Sequence, residues 1–344
     1  MKNTIKYSLL IPAFALSLSL TSCEDWTETE SLPIVTPQVD QTEYIANLNA
    51  YKAAEHKVTF VTLDNKMFPQ NQAQHLVSLP DSIDFISMKN PSEINDAIQK
   101  EMTTVRKKGT KVIYDVNFPS IEAEWKHIVK EDVTGTLTEE DGLKYFAEQL
   151  AAQFALCDEF GYDGVTLTYR GVTIGSLTEA KKAVYAARQQ TVVDAANAWL
   201  AAHPNHHFTF VGAPQNLLDE NKSLLQECDY IALLTENALN LEEVSIIALD
   251  AVKNEGVPSD RIIVRAMTTR PTDKDMVFGY LNTVDETGTK IRSIYGCACW
   301  NAQVSTTSFK RAGLMILDAE NDYFDTKMVF PHIREAISVM NPHF

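Results

Sequence analysis

Residues 160–170 read FGYDGVTLTYR, and this stretch decides the fold. The turn at Gly161-Tyr162-Asp163-Gly164 is of a kind that opens strands, and the residues after it alternate as in a β-strand. A helical pattern over residues 139–160 precedes the turn, and another over 176–202 follows the strand. This order of elements predicts βα units and a parallel sheet.

The same alternation of short apolar runs and helical patterns extends from about residue 40 to the end of the chain. Strands are predicted at Val58–Leu63, Ile83–Met88, Lys111–Val116, Gly164–Tyr169, Phe208–Gly212, Tyr230–Leu234, Ile262–Ala266 and Ser293–Cys297. The clearest helices are predicted at Pro91–Lys108, Glu139–Phe160, Ser176–Ala202, Leu241–Asn254 and Pro331–Met340. Eight such strands with intervening helices predict an α/β fold of the (β/α)8 TIM-barrel class, as one domain over residues 41–344. An open doubly wound sheet is the alternative, although no glycine-rich nucleotide loop follows any strand and no cofactor is expected.

The start of the chain has the features of an export signal. Lys2 and Lys6 precede an apolar run over residues 9–20, which is short for a membrane span, and Thr21-Ser22 leads into Cys23. Residues 20–23 resemble the lipobox at which bacterial prolipoproteins are lipidated on the cysteine and cleaved before it. We therefore expect a signal peptide over 1–22 and a lipid on Cys23, with an ordinary signal peptide as the alternative.

The segment that follows, residues 23–40, is acidic and contains Thr and Pro, which is typical of a solvated tether. Acidic residues directly after the cysteine resemble the surface-export signal of Bacteroidetes lipoproteins. We therefore expect the protein to lie at the outer membrane, facing the medium, with the lipid as its membrane contact.

The net charge disfavours some classes of partner, and the cysteine spacing argues against a metal site. The net charge is −16, and removal of two leader lysines would lower it to −18, which disfavours nucleic acid and anionic membrane surfaces. The other cysteines, Cys157, Cys228, Cys297 and Cys299, lack zinc-ligand spacing, so no metal site is expected. We expect Cys297 and Cys299 to lie on one face of the last strand as buried thiols, rather than in a disulfide.

The turn and strand at 161–170 resemble the fourth-strand signature of glycoside hydrolase family 18. That signature is Asp-x-x-Asp-x-Asp-x-Glu, usually introduced by Tyr-Gly-(Phe/Tyr)-Asp-Gly, and here the introduction is present as residues 161–164. The endo-β-N-acetylglucosaminidases of the family, which act on N-glycan cores, resemble this chain most. A tryptophan at the end of the last predicted strand, Trp300, is similar to the one that forms the floor of the family's sugar pocket.

The residues that carry the family's chemistry are replaced. The second and third aspartates of the signature fall on Thr166 and Thr168, and the catalytic glutamate falls on Arg170. In the family the glutamate protonates the leaving oxygen, while an aspartate orients the substrate's N-acetyl group as the nucleophile. A guanidinium keeps its proton near neutral pH, and threonine carries no charge. The resemblance therefore implies a barrel that is catalytically inactive by the family's mechanism.

Polar side chains at the predicted strand ends suggest a site for a neutral, hydroxyl-rich ligand, because carboxyl ends of strands form the active face of such barrels. The candidate ligand-binding residues are Asn65, Asn117, Arg170, Gln215, Glu236, Asn237, Trp300 and Asn301. Phe118 and Trp125 are further candidates for apolar surfaces on which a sugar ring could pack. Each residue also has a structural interpretation, including an ion pair of Arg170 with Glu236 or Asp115.

Three functions remain open at this point. The first is a non-catalytic surface lipoprotein that binds N-acetylglucosamine-containing glycans such as N-glycans, beside active glycosidases and outer-membrane glycan-uptake components. The second is an active glycosidase with relocated carboxylates, for which Asp115 and Glu236 are the candidates. The third is a structural partner within an uptake complex. The first is our principal hypothesis, because a binding protein needs no proton donor.

Overall fold

The computed structural model describes residues 41–304, 309–325 and 327–342. In that part of the chain, eight parallel strands close into a barrel surrounded by helices, which confirms the predicted (β/α)8 class. The barrel strands are β1 (Val58–Leu63), β2 (Phe85–Met88), β3 (Lys111–Asn117), β4 (Gly164–Tyr169), β5 (His207–Gly212), β6 (Tyr230–Leu233), β7 (Ile262–Met267) and β10 (Arg311–Leu317). The predicted leader and tether, with Cys23, lie outside the described residues.

Two further strands, eight α-helices and six 3-10 helices complete the described part of the chain. Strands β8 (Tyr280–Val284) and β9 (Lys290–Arg292) form a separate antiparallel hairpin. The helices are α1 (Gln41–Ala53), α2 (Asp96–Lys107), α3 (Phe118–Glu131), α4 (Glu139–Phe160), α5 (Glu179–Ala202), α6 (Leu241–Val252), α7 (Ser293–Ala302) and α8 (Pro331–Met340). In the same described residues, no helix is both long enough and apolar enough to cross a membrane.

The decisive stretch folds as its sequence predicts. Thr138 caps α4 in a reciprocal arrangement with Asp141, and Gly161 ends that helix in the left-handed conformation, with φ of 65°. The Asp163 carboxylate then accepts hydrogen bonds from the backbone N–H of Val112 at 2.7 Å and from Arg106 Nε at 2.8 Å. These contacts anchor the start of β4 against β3, so that the carboxyl ends of the two strands lie side by side.

Seven of the eight predicted strands are present, with boundaries that differ by at most two residues. The eighth prediction is wrong, because residues 293–302 form α7 and the barrel closes through β10. Helix α7 is buried around most of its circumference, and such a helix has no polar face to reveal its period. The sequence RAGLMIL of β10, in turn, contains only one of the β-branched residues that normally mark a strand, Ile316.

The position of α7 also corrects the prediction for Trp300. Its indole Nε1 donates to Ser245 Oγ at 2.9 Å, and the Arg311 guanidinium lies 4.0 Å from the centre of its ring. Arg311 begins β10, so Trp300 packs near the amino end of the barrel, away from the end where the candidate site was expected. The neighbouring Asn301 is fully buried and donates to Cys297 O in the same helix.

The cysteine predictions are correct in part. Cys157, Cys228, Cys297 and Cys299 carry free thiols. Cys297 and Cys299 lie on α7 rather than on a strand, and only Cys297 is fully buried. Burial raises the pKa of the Cys297 thiol to about 12, so it stays protonated and unreactive near neutral pH.

Candidate functional site

Four predicted residues meet inside the carboxyl end of the barrel, on β3 and β4. The strands pair in register, with Asp115 opposite Thr166 and Asn117 opposite Thr168. The hydroxyl groups of Thr166 and Thr168 donate to the same Asp115 oxygen, Oδ1, at 2.8 and 2.7 Å. Asn117 donates to the other oxygen, Oδ2, at 2.9 Å. Thr166 and Thr168 therefore point into the barrel, as the alternation along β4 predicts.

This cluster fixes Asp115 as a hydrogen-bond acceptor. Three donors, from Thr166, Thr168 and Asn117, point at its two oxygens, and a carboxylate in that position accepts in every bond. Asn117 is committed as well, because its Oδ1 caps the first turn of α3 through Ser120 N at 3.0 Å. The cluster joins the carboxyl ends of β3 and β4. It also leaves lone pairs of the Asp115 carboxylate that a ligand hydroxyl could donate to.

Arg170 follows the last residue of β4 and is exposed. Its carbonyl accepts a hydrogen bond from Asn216 Nδ2 at 3.1 Å, which fixes the backbone. Among the described residues, no carboxylate lies within ion-pair distance of its guanidinium, so the predicted pairing with Glu236 or Asp115 is wrong. The guanidinium is instead available to solvent or to a ligand.

Comparison with known proteins agrees with this arrangement. The sequence model of glycoside hydrolase family 18, BT1044-like, matches residues 25–339. The chain belongs to glycoside hydrolase family 18. A solved BT1044 variant shares 15% identity at a TM-score of 0.59, over 88% of this chain and 94% of that one. An endo-β-N-acetylglucosaminidase from Cordyceps militaris shares 13% at 0.56, over 87% and 95%. No curated protein sequence matches the chain.

Because the chain belongs to family 18, the residues at the end of β4 can be compared position by position with the family's signature. Thr166 and Thr168 occupy the signature's second and third aspartate positions, and Arg170 occupies the position of its glutamate. The structure places the two threonines on the interior face, so their substitution is not offset by a shift in strand register. Strand β4 of the family 18 member contains no carboxylic acid, and neither does Arg170 directly after it.

A second polar group of the family 18 barrel lies at the ends of β6 and β7. Glu236 Oε2 lies 3.7 Å from Arg265 Nε, and the two side chains are 8% and 14% exposed. Both of these atoms are buried without a hydrogen-bond partner. Buried polar groups normally find a partner, so this pair has the capacity to bind a ligand hydroxyl or a water molecule. The neighbouring Asn237 is exposed.

The other predicted amides have structural partners. Asn65 exchanges two hydrogen bonds with the backbone of Asn90, at 2.8 and 2.9 Å, and is fully buried. Gln215 donates to Asp250 on α6 at 3.2 Å, although its Oε1 is buried without a partner. The amide of Asn65 therefore joins the ends of β1 and β2, whereas Gln215 retains an unused polar atom, as does Asn301 on α7 through its Oδ1.

The predicted aromatic surfaces are not exposed. Phe118 and Trp125 are 5% and 6% exposed and belong to the core between the barrel and its helices. Trp125 packs on Tyr145, with ring centres 5.4 Å apart, and Gly142 provides the space beside its indole nitrogen. Both rings lie on the buried face of the amphipathic helix α3. The interpretation of Trp125 as a packing residue is therefore the correct one.

The sequence prediction missed a charged group after β10. Lys89 Nζ lies 2.8 Å from Asp318 Oδ1 and 3.5 Å from Glu320 Oε1, while Glu320 Oε2 accepts from Asp64 N at 3.2 Å. Burial raises the pKa of Glu320 despite the opposing effects of its backbone hydrogen bonds and Lys89. These acids directly follow a strand, and recognition of Arg311–Leu317 as that strand would have placed them at the mouth.

Proposed function

We propose that this family 18 member is a non-catalytic glycan-binding protein whose ligand occupies the carboxyl end of the barrel. One observation carries the proposal: on β4 the acid position holds Arg170, and the adjoining interior positions hold Thr166 and Thr168. Loss of a general acid costs about 10²- to 10⁴-fold in rate, and this strand also lacks the orienting carboxylate. A binding protein requires a polar, partly unsatisfied site but no acid.

The composition of the mouth supports a hydroxyl-rich ligand. Asp115, the Glu236–Arg265 pair and the exposed Asn237 supply acceptors and donors around the same strand ends. The family, together with the similarity to the Cordyceps militaris endo-β-N-acetylglucosaminidase, favours N-acetylglucosamine-containing glycans, among which N-glycans are our proposed class. The proposed partners are active glycosidases and outer-membrane uptake components. A non-catalytic binding protein needs them because it does not cleave the bound glycan itself.

Glycan binding without turnover is the expected result for the mature chain. Titration calorimetry with a biantennary N-glycan should show binding, and chromatography should show no product after prolonged incubation. Glu236→Ala should weaken binding by about tenfold or more, because it removes a mouth acceptor and leaves Arg265 unpaired. Glu255→Ala, which removes an exposed carboxylate beyond α6, is the matched control and should bind normally.

The competing function is a glycosidase with relocated carboxylates, and the raised pKa of Glu320 is the observation that favours it. Turnover by the wild type that is lost in Glu236→Gln or Glu320→Gln would establish that enzyme and contradict our proposal. A folded wild-type protein that binds no glycan would instead leave a structural partner as the remaining function.

We further propose that Cys23 carries the lipid that holds the protein at the outer membrane. The full chain expressed in a bacterial host should incorporate labelled palmitate and sediment with membranes, whereas Cys23→Ser should be unlabelled and soluble. Cys299→Ser changes a partly exposed thiol of the barrel and should retain the label. Glycan affinity should be equal in all three proteins, and membrane association of Cys23→Ser would contradict lipid anchoring.

A further inference from the structure

A cavity of about 250 Å³ lies beside the end of β4, next to the proposed glycan site. Nine residues line it: Phe118, Pro119, Glu122, Tyr169, Arg170, Gly171, Val172, Tyr185 and Arg188. Ligand pockets for drug-sized molecules start at about 300 Å³, so this space fits a single small unit such as one sugar substituent.

The charges around the cavity leave one cation without a partner. Arg188 contacts Glu139 through Nε at 2.5 Å and Nη2 at 2.6 Å, and it contacts Glu122 through Nη1 at 2.8 Å. Glu122 is also paired with Lys126 at 3.1 Å. Both carboxylates are thus engaged, while Arg170 has no carboxylate within ion-pair distance in the described part of the chain. The lining consequently has a net positive charge on a strongly acidic protein.

The backbone that carries Arg170 is held firmly. Gly171 has φ of +61°, and a Cβ at this position would lie 2.7 Å from Tyr185 Oη and 2.9 Å from Asn216 Cβ. Tyr185 donates to Asn216 O at 2.5 Å, and Asn216 donates to Arg170 O at 3.1 Å. Only glycine suits both the conformation and the space. Because this backbone is already fixed, a ligand that binds the free guanidinium orders fewer groups, and binding loses less conformational entropy.

The network extends into the core through Gln189, which is fully buried on α5. Its amide nitrogen donates to Tyr185 Oη at 2.9 Å and to Asn216 O at 3.2 Å. Its oxygen accepts from Leu218 N at 2.7 Å, so the segment after β5 is anchored on α5. The backbone of Arg170 is therefore held through Asn216, by contacts that do not involve the side chain of Arg170.

The opposite wall of the cavity also favours an anion. Phe118 and Pro119 belong to the first turn of α3, which contains no acidic residue, so the positive end of the helix dipole lies at this wall. The carboxylate of Glu122 in the next turn is engaged by Arg188 and Lys126. A guanidinium binds a carboxylate or a sulfate through parallel hydrogen bonds, whereas a neutral hydroxyl gains less from it. Arg170 thus selects for charge as well as for hydrogen bonding.

We propose that this cavity binds the anionic group of an acidic sugar, a carboxylate or a sulfate ester, on the glycan held at the barrel mouth. The inference rests on the proposed glycan-binding function and narrows its ligand class. The arginine at the family's acid position thereby has a binding role in place of a catalytic one.

The test compares matched glycans by titration calorimetry. The probes are a sialylated biantennary N-glycan, the same glycan after removal of sialic acid, and a 6-sulfated N-acetylglucosamine oligosaccharide beside its unsulfated form. The acidic member of one pair should bind about tenfold more tightly, as a charged hydrogen bond permits. The difference should shrink in about 1 M salt, which screens an exposed pair.

Variants of Arg170 test whether this residue causes the preference for acidic glycans. Arg170→Gln should bind both members of the pair with the affinity of the neutral glycan, and Arg170→Lys should retain part of the preference. Lys253→Gln removes an equal charge at the carboxyl end of α6 and should behave as the wild type. Arg170 is exposed, so a normal melting temperature is expected in each variant.

The possible outcomes distinguish a failure of the acidic-sugar inference from a failure of the proposed glycan-binding function. Equal affinity of the wild type for acidic and neutral glycans would overturn the inference and leave glycan binding intact. An acidic preference that survives Arg170→Gln would also overturn it. Absence of binding to every probe would overturn both proposals. A preference confined to the sulfated or to the sialylated pair would support the inference and identify the anion.

Discussion

Thr168→Asp combined with Arg170→Glu is expected to produce endo-glycosidase activity, whereas we expect none from the wild type. The change restores a proton donor at the end of β4 and an orienting carboxylate on its interior face. Because general acids contribute about 10²- to 10⁴-fold, we expect hydrolysis of an N-acetylglucosamine-linked chromogenic substrate at about 10²-fold above background. Arg170→Gln with Thr168→Asn is the matched control, since it has similar side chains without the acids.

The structure adds a second expected property of this variant. Thr168 Oγ1 lies 2.7 Å from Asp115 Oδ1, so an aspartate at 168 would bring two carboxylates together. Like charges at that distance favour a shared proton, and ionisation of both costs stability. The variant should therefore melt at a lower temperature at pH 8 than at pH 5, by differential scanning fluorimetry.

Two results would contradict the interpretation of β4. Turnover by the wild type that survives Arg170→Ala but is lost in Glu236→Gln would establish a relocated active site. Inactivity of a folded double variant would mean that the absence of these two carboxylates does not by itself account for the proposed lack of catalysis. In that case the binding measurements alone would decide the function.

Gly313→Ala is expected to destabilise the protein severely or to prevent folding. Gly313 lies opposite Val58 where β10 closes the barrel against β1, and a Cβ there would lie 2.1 Å from Val58 O. The clash is with backbone, so relief requires separation of the two strands. We expect a loss of at least about 3 kcal/mol in the free energy of unfolding, measured by urea titration.

Gly175→Ala provides the control for this change. A Cβ at Gly175 would meet no atom within 4 Å, so the variant should unfold at the wild-type urea concentration. Equal stability of Gly313→Ala and Gly175→Ala would contradict the pairing of β1 with β10. The comparison therefore tests the barrel closure that the sequence alone did not identify.

Local patterns predicted those elements whose signals lie within a few residues. Strand β4 begins after a turn that follows a capped helix, so helix, turn and strand were all visible in one continuous segment. Strand β1 is β-branched and was bounded correctly for the same reason. The mostly buried α7 gave no amphipathic pattern, and β10 has a single β-branched residue, so the closing strand was assigned to the wrong segment.

The sequence by itself determined the alternation of strands and helices, the family signature of β4 and the absence of its acids at residues 166, 168 and 170. Each depends on residue type and on neighbours along the chain. Tertiary structure alone decided that Trp300 packs away from the mouth, that Asn65 is used by a neighbouring loop and that Arg170 stays unpaired. The reason is physical, because hydrogen-bond and ion-pair partners come from segments distant in sequence, and only the closed barrel brings them within contact distance.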